Sequence, residues 1–196
     1  MRVYVIAMEC EADAIREHIA EGDRLIVSGI GKVAAAAAAQ KAISLYGADE
    51  IVNAGLCGGF GNDVELFGAY EVEKAVEYDF DLAELNGTRV GVVDGRATPY
   101  FDVSTSGIFP RRILATGDRF TNDESDHGLI ADELGASLRD MEGAAIAHVC
   151  EINGVPCRLY KVVSDIASYG AMTKQYLANK KTALEALSRA ASRFAR

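Results

Sequence analysis

Two short acidic segments, Asp140-Met141-Glu142 and Ser164-Asp165, stand at the ends of apolar runs. Arg139 and Asp140 interrupt an apolar stretch just before a helical segment, and Ser164-Asp165 closes the run Leu159-Tyr160-Lys161-Val162-Val163. Short apolar runs bounded by polar residues read as buried strands. A carboxylate at the end of a buried strand is costly unless it has a partner or a ligand. In open α/β sheets the ligand crevice lies outside the carboxyl ends of the strands. Two such acidic sites in one α/β chain predict acid/base chemistry on a small polar molecule.

The rest of the chain supplies the alternation that such a fold needs. Residues 3–7, 25–27, 50–53, 69–78, 89–93, 112–115 and 157–163 read as strands. Residues 11–19, 31–45, 145–152 and 174–194 read as helices, the last with Leu177, Leu184, Leu187 and Phe194 as apolar anchors. Strands alternating with helices predict a largely parallel or mixed sheet. No linker or repeat divides residues 1–196, so a single domain is expected. The Ala34–Ala39 run suits close packing of a helix on a sheet.

Most of the unusual polar and glycine residues fall at predicted strand ends. These are Glu9 and Glu11, the glycine segment 55–61, residues 116–120, Asp140 to Glu142, and Ser164-Asp165. If the strands share one sheet, these groups converge. Each has a plainer reading. Glu11 and Glu142 could be solvated acids in the first turn of a helix. Ser164 or Asp165 could cap a helix. The glycine segment could be a tight turn; it matches neither a Walker loop nor the dinucleotide fingerprint. Cys57 reads as a small packing residue rather than a nucleophile. His148 and Cys150, two apart on a helix, face different sides and make a poor metal pair.

Bulk properties narrow the partners. The formal net charge of −9 over 196 residues disfavours nucleic-acid and anionic-membrane surfaces. It does not disfavour a nucleoside. The four cysteines, Cys10, Cys57, Cys150 and Cys157, have no CxxC spacing and fit reduced thiols in the cytoplasm. The amino terminus reads as a first strand rather than a signal peptide. No apolar run approaches the roughly 20 residues of a bilayer-spanning helix.

Taken in order, the motifs resemble the nucleoside phosphorylase superfamily, and within it the methylthioadenosine/S-adenosylhomocysteine nucleosidases. The matching segments are Ala7 to Glu11, Ser28 to Ala35, Asn53 to Gly59, Thr116 to Phe120, Met141 to Cys150, and Val163 to Asp165. The resemblance implies a three-layer sandwich around a mixed sheet, in a homodimer, with no cofactor and no metal. It implies that Glu11 activates the attacking water and that Asp165 protonates N7 of a leaving purine. Glu142 would hold the ribose hydroxyls beside Met141. Phe120 would stack on the base, the Thr121 backbone would read its edge, and Ile30 would line the pocket. Cys57, Gly58, Asp140, Lys161 and Ser164 fall among the implied substrate contacts. Leu82, in Tyr78-Asp79-Phe80-Asp81-Leu82, would reach a neighbouring subunit's site.

The chain departs from the family pattern at several points. Leu56 replaces a serine near the water, Lys161 an arginine, and Asp140 a glutamate. The stretch from Ile19 to Ser28 is short, and the usual aromatic lid pattern after Asp165 is missing; Tyr169 and Tyr176 are the candidates to replace it. The leading expectation is a purine nucleoside N-ribosyl hydrolase. A phosphorylase is the alternative, although an acid at Glu11 suits water and repels phosphate. A nucleoside-binding protein without catalysis is the alternative from another class, motivated by Leu56 and Lys161.

Overall fold

The computed structural model describes residues 1–93, 95–120, 124–167 and 171–195, with only the backbone of residues 124 and 125. In chain order the elements are β1 (Arg2–Ile6), α1 (Glu9–Arg16), β2 (Arg24–Val27), α2 (Lys32–Tyr46), β3 (Glu50–Gly59), β4 (Ala69–Glu77), α3 (Ala83–Asn86), β5 (Tyr100–Asp102), β6 (Arg111–Thr116) and α4 (Glu124–His127). A π-helical turn over Gly128–Glu133, then β7 (Leu138–Asp140), α5 (Gly143–Asn153), β8 (Cys157–Ile166) and α6 (Met172–Phe194), complete the order.

β1 shows how the layers form. Successive side chains of a strand point to opposite faces. Val3 and Val5 enter one core with Ala35, Ala38, Ala39 and Ala42 of α2 and Ile146 of α5. Tyr4 and Ile6 enter a second core with Ile15 of α1 and Leu187 and Ala191 of α6. Helices therefore cover both faces of one eight-stranded mixed sheet. β1 joins β2 and β3 in parallel, and β3 runs parallel to β8. β8 is antiparallel to β4, β4 parallel to β6, and β6 parallel to β7, which returns antiparallel to β3. Strands β3, β8, β4, β6 and β7 thus close a ring whose rim gathers the strand ends that carry the acids.

Several sequence expectations are corrected. The glycine segment is not a loop up to Gly59: β3 continues through it, paired with β8 on one side and β7 on the other. β8 also runs past Val163 to Ile166, so Asp165 lies inside a strand and caps no helix. Residues 89–93 form turns instead of a strand; Gly91 has φ +80°, and its backbone packs against Val76, where a side chain would not fit. The three-residue strands β5 and β7 were too short to give a period. Leu177 is not a core anchor: it is 68% exposed, one turn from the start of α6. Among the described residues no helix is long and apolar enough to cross a membrane.

Candidate active site

A cavity of 480 Å³ opens at the rim of the ring, within the size range of small-molecule sites. Glu11 reaches it from α1, and Leu56, Cys57 and Gly58 from β3. Arg139, Asp140, Met141 and Glu142 come from β7 and the turn after it, and Ser164 and Asp165 from β8. Ile30, Phe120, Tyr176 and Leu177 line its more open side. The acids expected at separate strand ends thus face one hollow.

Glu11 is 3% exposed and is held by main-chain donors. The Leu56 N–H donates to its Oε1 at 2.8 Å, and the Met8 N–H to its Oε2 at 3.2 Å. The second contact is the returning half of a helix capping box. Gly55 makes the arrangement possible, because a Cβ there would lie 2.8 Å from Glu11 Oε1. Burial raises the Glu11 carboxyl above its ordinary value, against the opposing pull of the Leu56 N–H and the Lys161 charge. A solvated first-turn acid is therefore ruled out. Its neighbour Glu9 is exposed and takes no part.

Glu142 stands at the N-cap of α5 and accepts the Gly31 N–H at 2.9 Å, across from the start of α2. Burial, reinforced by the nearby Asp140 charge, pushes it up to about 7. Asp118 takes the next amide of the same helix start, from Lys32, at 2.8 Å. Carboxylates are favoured at that end of a helix by its dipole and its unpaired N–H groups.

Asp165 is 2% exposed, and the Ser164 hydroxyl donates to its Oδ1 at 2.6 Å. Burial raises its pKa, opposed by that hydrogen bond and by the Arg139 charge. Phe120 is half exposed and meets Tyr176 edge-on at 5.5 Å, so an aromatic pair stands over the cavity. Tyr176, considered in the sequence as a replacement for the aromatic lid, lies on the cavity's lining beside Phe120. Thr121 and Tyr169 lie outside the described residues.

Lys161 needs correction: it does not line the cavity but lies buried beneath it. Its Nζ is 2.7 Å from Asp140 Oδ2 and 2.6 Å from Asn53 Oδ1. Burial lowers the pKa of this ammonium, but Asp140, Glu142 and Glu11 outweigh that and raise it overall. Asp140 also accepts from the Thr116 hydroxyl at 2.5 Å and the Gly143 N–H at 2.8 Å. Its carboxylate faces inward partners more than a ligand. Leu82 is half-buried and away from this chain's cavity. Cys57 lines the hollow, and burial raises its thiol well above the usual value, which disfavours the thiolate.

Met8, Arg119, Arg139, Thr173 and Leu177 also line the cavity without having been singled out as contacts. Arg139 was the legible one, since it stands directly beside Asp140 in the acidic segment already singled out. Chemically, the hollow offers raised-pKa carboxyls at separate points of its wall. That arrangement suits proton transfer at two ends of one small molecule.

The chain is 31% identical to a 5'-methylthioadenosine/S-adenosylhomocysteine nucleosidase of Treponema pallidum, over 71% of this chain and 65% of the relative. It is 30% identical to an aminodeoxyfutalosine nucleosidase of Campylobacter jejuni, over 73% and 67%. The chain thus spans about two thirds of the length of these relatives. In fold it is similar to the 5'-methylthioadenosine/S-adenosylhomocysteine nucleosidase of Neisseria meningitidis in complex with methylthio-immucillin-A. The TM-score is 0.83 at 24% identity, covering 97% of both chains. Residues 19–196 match the family model described as the phosphorylase superfamily, and the chain belongs to that superfamily.

Proposed function

We propose that this chain, as a single domain over residues 1–196, hydrolyses the N-glycosidic bond of a purine nucleoside. The observation that carries the reading is that Glu11, Glu142 and Asp165 face one nucleoside-sized cavity. Glu11 takes a proton from water, whose oxygen attacks C1′ as the bond from C1′ to N9 breaks. Asp165 delivers a proton to N7, so the base leaves neutral. Glu142 accepts hydrogen bonds from the ribose hydroxyls beside Met141, and Phe120 stacks on the base, with Ile30 lining the pocket. Cleavage builds positive charge on the sugar and negative charge on the base, and carboxylates near one with an acid at the other stabilise both.

Water is favoured over phosphate as the attacking group. Phosphate needs cationic or N–H donors. At the Glu11 end of the cavity the Leu56 and Met8 N–H groups are already given to the carboxylate, and the Lys161 ammonium beneath it to Asp140 and Asn53. Leu56, the departure that put the water in question, contributes its backbone N–H, which any residue but proline would supply.

The protein acts in the cytoplasm as a homodimer in which Leu82 approaches the neighbouring subunit's cavity. The Lys32–Asp79 ion pair at 2.5 Å supports this, holding that segment beside exposed Ile30 and Val33. Sedimentation of wild type and Leu82→Asp tests the assembly, and a monomeric wild type would overturn it. Purine nucleosides screened for free base with and without phosphate test the activity. Equal release in both conditions is expected; release only with phosphate would make the enzyme a phosphorylase.

A further inference from the structure

We propose that Asn179 and Gln175 of α6 are positioning residues that hold a bulge in β8 and thereby turn Asp165 into the cavity, a role that rests on the hydrolysis proposed above.

β8 carries one residue more than its neighbour at this point. Cys57 of β3 pairs with Val163 and Gly58 with Asp165, so Ser164 stands between them without a partner residue on β3. Such a bulge re-aims the side chains that follow it. Val163 and Ile166 both enter the core shared with α2 and α5, although strict alternation would send residues three apart to opposite faces. Without the extra residue, Asp165 would take the direction of Val163 and point into that apolar core. With it, Asp165 lines the cavity.

The bulge lies where the sheet gives out on one side. β4 pairs with β8 from Tyr160 to Val162, and the Phe67 N–H and Gly68 carbonyl extend this to Val163. Among the described residues no strand flanks β8 on that side beyond Val163. α6 takes the place of a strand. The Asn179 side-chain amide donates to the Ser164 carbonyl at 2.9 Å. Gln175 closes a pair with Ile166, its Oε1 accepting the N–H at 3.1 Å and its Nε2 donating to the carbonyl at 3.0 Å. A neighbouring strand would offer the same kind of donor and acceptor. The Ser164 hydroxyl donates to Asp165 Oδ1 at 2.6 Å, so the residue gripped by Asn179 is the one that touches the acid.

Gln175 and Asn179 stand four apart, on one face of the helix. Buried Met172 and Ala183 flank them along α6. Polar side chains on a face packed against a sheet need partners. Here both find them in the residues either side of Asp165.

Asn179→Leu and Gln175→Met keep the approximate size of each side chain and remove the hydrogen bonds. Together they should lower kcat for base release by about 10–100-fold, with KM within about threefold of wild type. In an Asp165→Asn background the same pair should cost less than about threefold, because the acid they aim is already gone. Residues that only dock the helix would lower kcat equally in both backgrounds; that result, or an unchanged kcat in the first, overturns the assignment. Should the double variant fail to fold, Asn179→Asp takes its place, since it keeps the shape and loses the donor. A crystal structure of the variant gives a reading independent of turnover. An Asp165 carboxyl displaced by about 1 Å or more supports the assignment, and one superimposed on wild type overturns it. Absence of base release from wild type would instead count against the hydrolase reading, leaving the position of Asp165 in the variant crystal to decide what Asn179 and Gln175 do.

Discussion

Lys161 and Asp140 form an ion pair of 2.7 Å under the cavity floor, with side chains only 2% and 1% exposed. Asn53 completes the ammonium's surroundings and is itself anchored, its amide donating to the Val5 carbonyl at 2.9 Å. Thr116 and Gly143 complete the carboxylate's. The pair thus ties β8 to the turn that carries Met141 and Glu142.

Breaking one side of a buried pair leaves an uncompensated charge, which typically costs about 3–5 kcal/mol. Lys161→Met should destabilise the protein by about that amount in chemical denaturation. Adding Asp140→Asn should recover part of the loss, because the stranded charge is gone. A single variant within about 1 kcal/mol of wild type would contradict this account.

Glu11→Gln and Asp165→Asn should each lower kcat by roughly 10²–10⁴-fold. Folding should survive in both: Asp165→Asn keeps an oxygen for the Ser164 hydroxyl, and Glu11→Gln keeps one for the closer Leu56 N–H and gives up only the longer Met8 contact. Steady-state base release alongside thermal melts separates the two effects. Near-wild-type turnover in Asp165→Asn would remove it from the mechanism.

Glu142 gives a pH dependence with a definite sign. Its folded pKa is about 7 against a reference of 4.5, so the folded state holds this proton more tightly than the unfolded chain. The stability it contributes is complete below the reference value and is lost as pH rises through about 7. Denaturation midpoints from about pH 5 to about pH 8 should fall, and Glu142→Gln should flatten that fall. Nucleoside binding runs the other way. Ribose hydroxyls need the ionised acceptor, so KM should improve as pH passes about 7.

Glu71 is 1% exposed and is not part of the cavity lining. It accepts the Ser106 hydroxyl at 2.6 Å and the N–H groups of Ser106, Gly107 and Ile108 at 3.0, 3.0 and 2.7 Å. Burial works against the carboxylate, yet these donors prevail and lower its pKa. Glu71→Gln should cost about 1–3 kcal/mol and expose the 104–109 segment to limited proteolysis, leaving base release unchanged. The wild-type contribution should fade as pH falls through the lowered pKa.

The long elements and the acids were legible in the sequence for a simple reason. Continuous apolar runs such as that of β1, and the alanines of α2, carry their own period, and a carboxylate beside them is conspicuous. What stayed hidden depended on partners distant in sequence. β7 is a strand because β3 and β6 pair with it, not because Leu138-Arg139-Asp140 favours one. Residues 89–93 carry three valines but are bent by Gly91. Lys161 reads as a site residue from its motif, yet strand alternation and Asp140 turn it beneath the floor. Tyr176 and Leu177 line the hollow only because α6 begins across its mouth.

The amide grip on Glu11 also leaves a freedom at the neighbouring position. The peptide link of residue 56 does the holding, while the residue also lines the hollow and packs on the α1/α6 core. Modest changes of size and polarity at that spot can therefore retune the hollow beside Glu11 while the amide that grips the acid stays in place.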